Sequence, residues 1–152
     1  MKVQDVMTRE VGFCRAEDSL AIAANIMWEK DCGAVPIVDA GNRVAGIITD
    51  RDICIAVGTR DCRTSEIRTA EFCREDVIAC APDDKLKNAL KKMAKNQVKR
   101  MPVVSQSGEL VGIISLTDII LTTDDDKKLR KTAVFALMEI SKPRPILLTE
   151  IE

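Results

Sequence analysis

The sequence predicts an α/β (α+β) fold built from two similar β-α-β-β-α units related by a pseudo-two-fold axis, followed by a helix and an extended tail. Three observations carry this. The stretch GIITDRDI at Gly46–Ile53 returns as GIISLTDI at Gly112–Ile119. The offset of 66 residues between them, from Gly46 to Gly112, also aligns Val11 with Val77, Cys14 with Cys80, Asp18 with Asp84, Pro36 with Pro102 and Val38 with Val104, without a gap. Each copy also shows the same order of helix-like and strand-like signals. A long period present twice points to two copies of one supersecondary unit rather than to a solenoid.

The elements follow in order. An extended piece is expected around Val11 and Val77. Polar starts, AEDS and PDDK, then offer helix caps. Leu20, Ala23 and Met27, like Leu86, Ala89 and Met93, recur at i, i+3 and i+7, one apolar helix face. The runs AVPIV and RVAGII are joined by polar DAGN, and RMPVV and ELVGII by SQSG, which predicts two hairpins. Pro36 and Pro102 favour an edge or a bulge, because proline cannot donate to a ladder. A second helix starts at Thr49 or Ser115, and in the first copy is expected to end near Gly58. Beyond the second copy, DDDKKLRKTAVFALMEISKP reads as a helix with acids at its front. Pro143 and Pro145 turn the remainder, PRPILLTEI, into an extended tail. The expected boundaries are 1–60 for the first repeat, 61–123 for the second, and 124–152 for the helix and tail.

Composition narrows the function. The 152 residues are 46% hydrophobic and 31% charged, globular rather than disordered. The net charge of −1 and an aromatic content of 3% argue against nucleic-acid binding, which needs excess positive charge or stacking platforms. No run reaches membrane-span length. Met1–Glu10 lacks the layout of a signal peptide, so the expected location is cytoplasmic. There is no histidine, the commonest general base, and no P-loop, serine elbow or C-x-x-C pair, so neither catalysis nor a metal site is expected. The six cysteines, Cys14, Cys32, Cys54, Cys62, Cys73 and Cys80, read as small thiols rather than disulfides. A redox or metal sensor is kept as an alternative, with Cys14 and Cys80 facing related clefts and Cys62 and Cys73 accessible in the link.

Thr49-x-x-Asp52 and Ser115-x-x-Asp118 have two readings. As capping boxes they satisfy orphaned helix amides and contribute roughly 1 kcal/mol each. As a ligand site, the hydroxyl at a helix start donates to phosphate and the acid one turn later accepts from two sugar hydroxyls. Gly46 and Gly112 then let the ligand approach the strand backbone.

The segments DCGAVPIVDAGNRVAGIITDRDICIAV and NQVKRMPVVSQSGELVGIISLTDIIL resemble the two halves of a tandem cystathionine-β-synthase (CBS) domain pair, or Bateman module. The likeness runs from about Val3 to about Leu121. It implies phosphate contacts at Thr49 and Ser115 and ribose contacts at Asp52 and Asp118. A basic residue before the proline strand is met by Lys99 and Arg100 in the second copy, against Gly33 and Ala34 in the first. Arg51, where the second copy has Thr117, is a candidate for the missing charge in the first copy, set against the commoner reading of an exposed helix arginine. The adenine is expected near Val11 and Ala34–Pro36 in one half, and near Val77 and Arg100, Met101 and Pro102 in the other. The implied function is a regulatory sensor of AMP, ADP, ATP or a related adenosyl ligand such as S-adenosylmethionine, signalling by conformational change to an unknown protein target. The nucleotide is a regulatory ligand and no cofactor is implied. A structural dimerisation module without ligand remains the other alternative.

The first helix of copy one carries Ile22, Ile26 and Trp28 where copy two has Asn88, Lys92 and Ala94. A second apolar face needs a cover. The resemblance implies a homodimer, and the uncovered apolar face places Trp28 at or near its contact. The rival cover is the appended helix, through Val134, Phe135, Leu137 and Met138.

Overall fold

A computed structural model describes residues 1–143. The first half contains β1 (Cys14–Arg15), α1 (Leu20–Glu29), β2 (Ala34–Val38), β3 (Val44–Thr49) and α2 (Asp50–Arg60). The second contains α3 (Leu86–Asn96), β4 (Arg100–Val104), β5 (Leu110–Ser115) and α4 (Leu116–Leu121), and α5 (Lys127–Ser141) follows. Short 3-10 turns at Val3–Asp5 and Thr69–Phe72 precede the two halves. Of the expected tail, Pro145 and everything from residue 144 on lie outside the described residues.

The two hairpins are built alike. Ala34 to Val38 pair antiparallel with Thr49 to Val44, and Arg100 to Val104 with Ser115 to Leu110. A bulge falls between Ile37 and Val38 and again between Val103 and Val104, one residue past Pro36 and Pro102. Asn42 and Gly108, equivalent under the offset, hold the left-handed turn position at φ 62° and 85°. The parallel pairing of Cys14 with Ile37 recurs as a single bridge from Cys80 to Val103.

Helix ends depart from expectation at two places. α2 runs through Gly58 and stops where Asp61 adopts a left-handed φ of 48°. Neither AEDS nor PDDK caps a helix with Ser19 or Lys85. Asp18 and Asp84 instead accept from the amides of Arg15 and Ala81, closing the turns before the helices. The first helical amides go to remote chain: Leu20 N donates to Ile67 O and Leu86 N to Met1 O.

Those remote partners reveal an exchange. Val3 N donates to Asp84 O and Gln4 N to Pro82 O, so the N-terminal arm lies along the second half. Thr69 N donates to Asp18 O and Ala70 N to Ala16 O, the same bonds shifted by one repeat. Val3 and Met7 are accordingly buried with Leu86, Leu90, Met93, Met101 and Ile114, whereas Ile67 joins Leu20, Met27, Val35, Ile37 and Ile48. Each core is completed by the segment preceding the other half.

The halves also meet head-on. Arg43 bridges Glu109, its own equivalent, with Val44 N donating to Gly108 O and Leu110 N to Asn42 O. Contacts that map onto themselves under the repeat mark the pseudo-two-fold axis.

α5 begins where Asp126 accepts from the amides of Lys128 and Leu129. It packs on α3 and α4 through Leu129, Ala133, Ala136 and Ile140. Val134, Phe135, Leu137 and Met138, the residues expected to cover α1, point outward instead. Ile26 is half-buried against the first core, while Ile22 and Trp28 stay uncovered, Trp28 at 86% exposure. No described helix is long and apolar enough to cross a membrane.

Candidate functional site

Both Thr/Ser-x-x-Asp motifs form capping boxes. Asp52 Oδ2 accepts from Thr49 N at 2.8 Å and Asp118 Oδ2 from Ser115 N at 2.8 Å, while each acid's amide donates back to the hydroxyl. The capping reading therefore holds in both halves, and in each it employs only Oδ2 of the carboxylate. The two hydroxyls differ. Thr49 Oγ1 donates its own proton to Asp52 Oδ2 at 2.7 Å, and Ser115 makes no such donation.

The motif glycines serve the arms. A Cβ on Gly46 would lie 2.5 Å from Phe72 O, and one on Gly112 would lie 2.6 Å from Met7 Sδ and 3.0 Å from Thr8 O. The arm of the opposite half crosses the strand at that point, so close approach is needed by the protein's own backbone rather than by a ligand. This corrects the role expected for both glycines.

A cleft of about 370 Å³ opens between the halves. It gathers Val11 and Ala34 from the first half with Arg100, Ser115, Thr117 and Asp118 from the second. The expected grouping thus changes partners: the first-half backbone positions share a cleft with the second-half motif. Thr8, Glu10, Gly12, Lys30, Asp31, Cys32, Gly33 and Ile113 complete the lining and were not expected there. Gly12 and Gly33 could have been found from the offset alignment, which sets them against Ile78 and Lys99. The Arg100 guanidinium is held beside Gly33, where a Cβ would lie 3.0 Å from Nη2 and 2.9 Å from Asp50 Oδ2.

The other expected residues lie elsewhere. Lys99 is exposed, with its carbonyl taken by Leu116 N, and its side chain is not part of this lining. Pro36, Met101 and Pro102 are buried within their strands, and Val77 is half-buried outside this cleft. Thr49, Arg51 and Asp52 belong to the opposite motif, with Arg51 exposed. A shallower hollow of about 480 Å³ beside Arg15 and Asp39 contains no motif residue.

All six cysteines are free. Cys14 and Cys80 are buried in the cores rather than facing clefts. Burial, reinforced by Asp18 and Asp84 respectively, pushes their thiols up to about 11 and about 12. Both remain protonated at neutral pH and are poor nucleophiles. Cys62 and Cys73 are partly buried, and Cys32 and Cys54 are exposed. Among the described residues no three Cys, Asp or Glu side chains gather as a metal site would require.

The CBS-domain family model matches residues 3–58 and 69–123. The CBS domain-containing protein YhcV of Bacillus subtilis is 32% identical over 117 residues, 77% of this chain and 81% of that protein. The crystal structure of Hypoxic Response Protein I with two coordinated zinc ions superposes with a TM-score of 0.73 at 30% identity, covering 80% of this chain and 98% of that one. The CBS domain pair of protein MJ0100, solved in complex with 5′-methylthioadenosine and S-adenosyl-L-methionine, gives a TM-score of 0.68 at 26% identity over 78% of this chain and 92% of that one. With a duplicated motif, exchanged arms and a family match over both halves, this chain belongs to the CBS-domain family, as a tandem pair.

Proposed function

We propose that this CBS pair is a regulatory module that binds an adenosine-containing ligand in the cleft between its halves. The observation that carries the reading is the meeting of Ser115, Asp118 and Arg100 with the backbone around Val11 and Ala34 in one space of about 370 Å³. Small-molecule sites fall at about 300–1,000 Å³. The chemistry suits a nucleoside with an anionic or polar 5′ group. Arg100 and the Ser115 hydroxyl donate to that group. Asp118 caps its helix with Oδ2, leaving Oδ1 to accept from ribose hydroxyls. The strand at Ala34 and the extended chain at Val11 offer backbone groups to the base. α4 has only six residues, so Arg100 rather than a helix dipole supplies the positive charge. The adenosyl ligands of the MJ0100 pair support the same ligand class.

The role is sensing rather than catalysis. A ligand gripping both halves favours one relative orientation of them, and that shift in population is the signal to a protein target. We place the module in the cytoplasm as a homodimer with Ile22 and Trp28 of α1 at the contact, since those apolar side chains lack a cover within the described chain.

Thermal unfolding with AMP, ADP, ATP and S-adenosylmethionine tests the binding. A ligand at about a hundred times its dissociation constant stabilises by roughly 2.7 kcal/mol. At least one of the four is expected to raise the melting temperature. A flat response to the whole panel, at millimolar concentrations, overturns the reading.

A further inference from the structure

Two helix faces rich in exposed apolar side chains lack a cover within the described residues, one on each half. α1 turns Ile22, Asn25, Trp28 and Glu29 outward, all exposed. α5 turns out Val134, Phe135, Leu137 and Met138, with Lys127 and Lys131 on the turns before them. α5 cannot swing onto its own α1, because Leu129, Ala133, Ala136 and Ile140 fix its other face on the second core. It also lies beyond both family matches, the second of which ends at residue 123.

The two faces are complementary when the helices run antiparallel. Seven residues separate Ile22 from Glu29 and seven separate Lys131 from Met138, about 10 Å of helix in each. An antiparallel pairing sets Met138 against Ile22, Val134 and Phe135 along Asn25 and Trp28, and Lys131 against Glu29. Among the described residues neither Glu29 nor Lys131 has an ion pair. Lys127 and Lys131 also come to the C-terminal end of α1, where cations are favoured. Like-on-like pairing lacks this match. α1 contains no basic residue to meet a second Glu29, and the one acid of α5, Glu139, is held by Lys142 at 2.6 Å. The equivalent positions on α3 are Asn88, Lys91, Ala94 and Lys95, which offer α5 neither apolar bulk nor an acid.

We propose that α5 of one chain docks antiparallel on α1 of a second copy, and that its own α1 receives the partner's α5 in return. The inference rests on the homodimer proposed above and supplies the surface that covers Trp28. A two-fold axis makes the exchange self-complementary, so the uncovered faces of both chains are buried at once. The apolar side chains form the centre of each contact and the Glu29–Lys131 pairs its rim.

Sedimentation equilibrium of the full chain tests the pairing. Glu29→Lys and Lys131→Glu are each expected to raise the dimer dissociation constant about fivefold, as two exposed pairs turn repulsive, at unchanged circular dichroism. An equimolar mixture of these two variants is expected to regain the wild-type constant, because both contacts of the mixed dimer then join unlike charges. Met138→Glu is expected to weaken the dimer at least about tenfold, as a charge placed in an interface centre does. A dimer indifferent to Lys131→Glu and Met138→Glu, or a mixture no tighter than its parents, overturns the inference and leaves a homodimer through α1 standing. A dimer broken by Met138→Glu but not by Trp28→Glu pairs α5 with α5 and overturns it too. A monomer at hundreds of micromolar overturns the inference together with the assembly and leaves the nucleotide reading untouched.

Discussion

The amide of Val3 donates to the carbonyl of Asp84 at 2.8 Å, tying the first residues of the chain to the turn that opens the second half's helix. Val3 is also fully buried there, against Leu86 and its neighbours. Val3→Ala is therefore expected to cost about 1.5–3 kcal/mol, from two lost buried methyl groups together with the cavity they leave. Urea unfolding measures it. Hydrogen exchange should show the loss first in α3 and β4, not in α1 and β2, although Val3 is nearer in sequence to the latter.

The glycine pair gives a prediction of order. Gly46→Ala drives a Cβ onto a backbone carbonyl, Phe72 O, which cannot move without moving the arm. Gly112→Ala meets first the flexible end of Met7. Both should destabilise by about 1–3 kcal/mol, as overpacking does, with Gly46→Ala the worse. Met7→Ala should recover part of the Gly112→Ala loss and none of the Gly46→Ala loss. A double-mutant cycle in urea tests that coupling.

Alkaline stability follows from the buried thiols. Burial raises Cys14 to about 11 and Cys80 to about 12 from an ordinary 9.0. Above pH 9 the unfolded chain sheds these protons while the folded chain keeps them, which favours unfolding. The contribution of these two thiols to stability is expected to be level below pH 9 and to fall as pH rises toward 11–12. Cys80→Ala should flatten that fall even if it lowers stability at pH 7. At pH 8, iodoacetamide should label Cys32 and Cys54 and spare Cys14 and Cys80 until denaturant is added.

Trp28 tests the proposed subunit contact. Its indole is 86% exposed in the isolated chain. In a homodimer its fluorescence should shift to the blue as concentration passes the dissociation constant, and light scattering should give twice the 16.8 kDa chain mass. Trp28→Glu should restore the monomer without changing the melting curve of the dilute protein. A monomer at hundreds of micromolar removes the assembly from the proposal.

The repeat, the hairpins and the helix faces were legible in the sequence because they depend on neighbours: periodicity, turn residues and a constant offset. The exchanged arms were not, since nothing local distinguishes an arm that folds back from one that crosses over. That blind spot explains Gly46 and Gly112. Both positions need room for a close neighbour, and that neighbour is the arm of the other half. The motif hydroxyls and acids were also legible, yet their partners in the cleft were grouped by sequence half. Val11 and Ala34 pair in space with Ser115 and Asp118 because of the same crossing of halves. The difference between Thr49 and Ser115 was out of reach, because it rests on one side-chain hydrogen bond, from Thr49 Oγ1 to Asp52 Oδ2.

The traded arms have a bearing on ancestry. A single half on its own would have an uncovered core and an arm with nowhere local to lie. Two such polypeptides could satisfy one another by swapping those ends, giving today's contacts with the tether near Arg63 severed. Within one chain the exchange does not depend on how much protein is present. Each half can also differ from its twin, as Asp50 differs from Leu116.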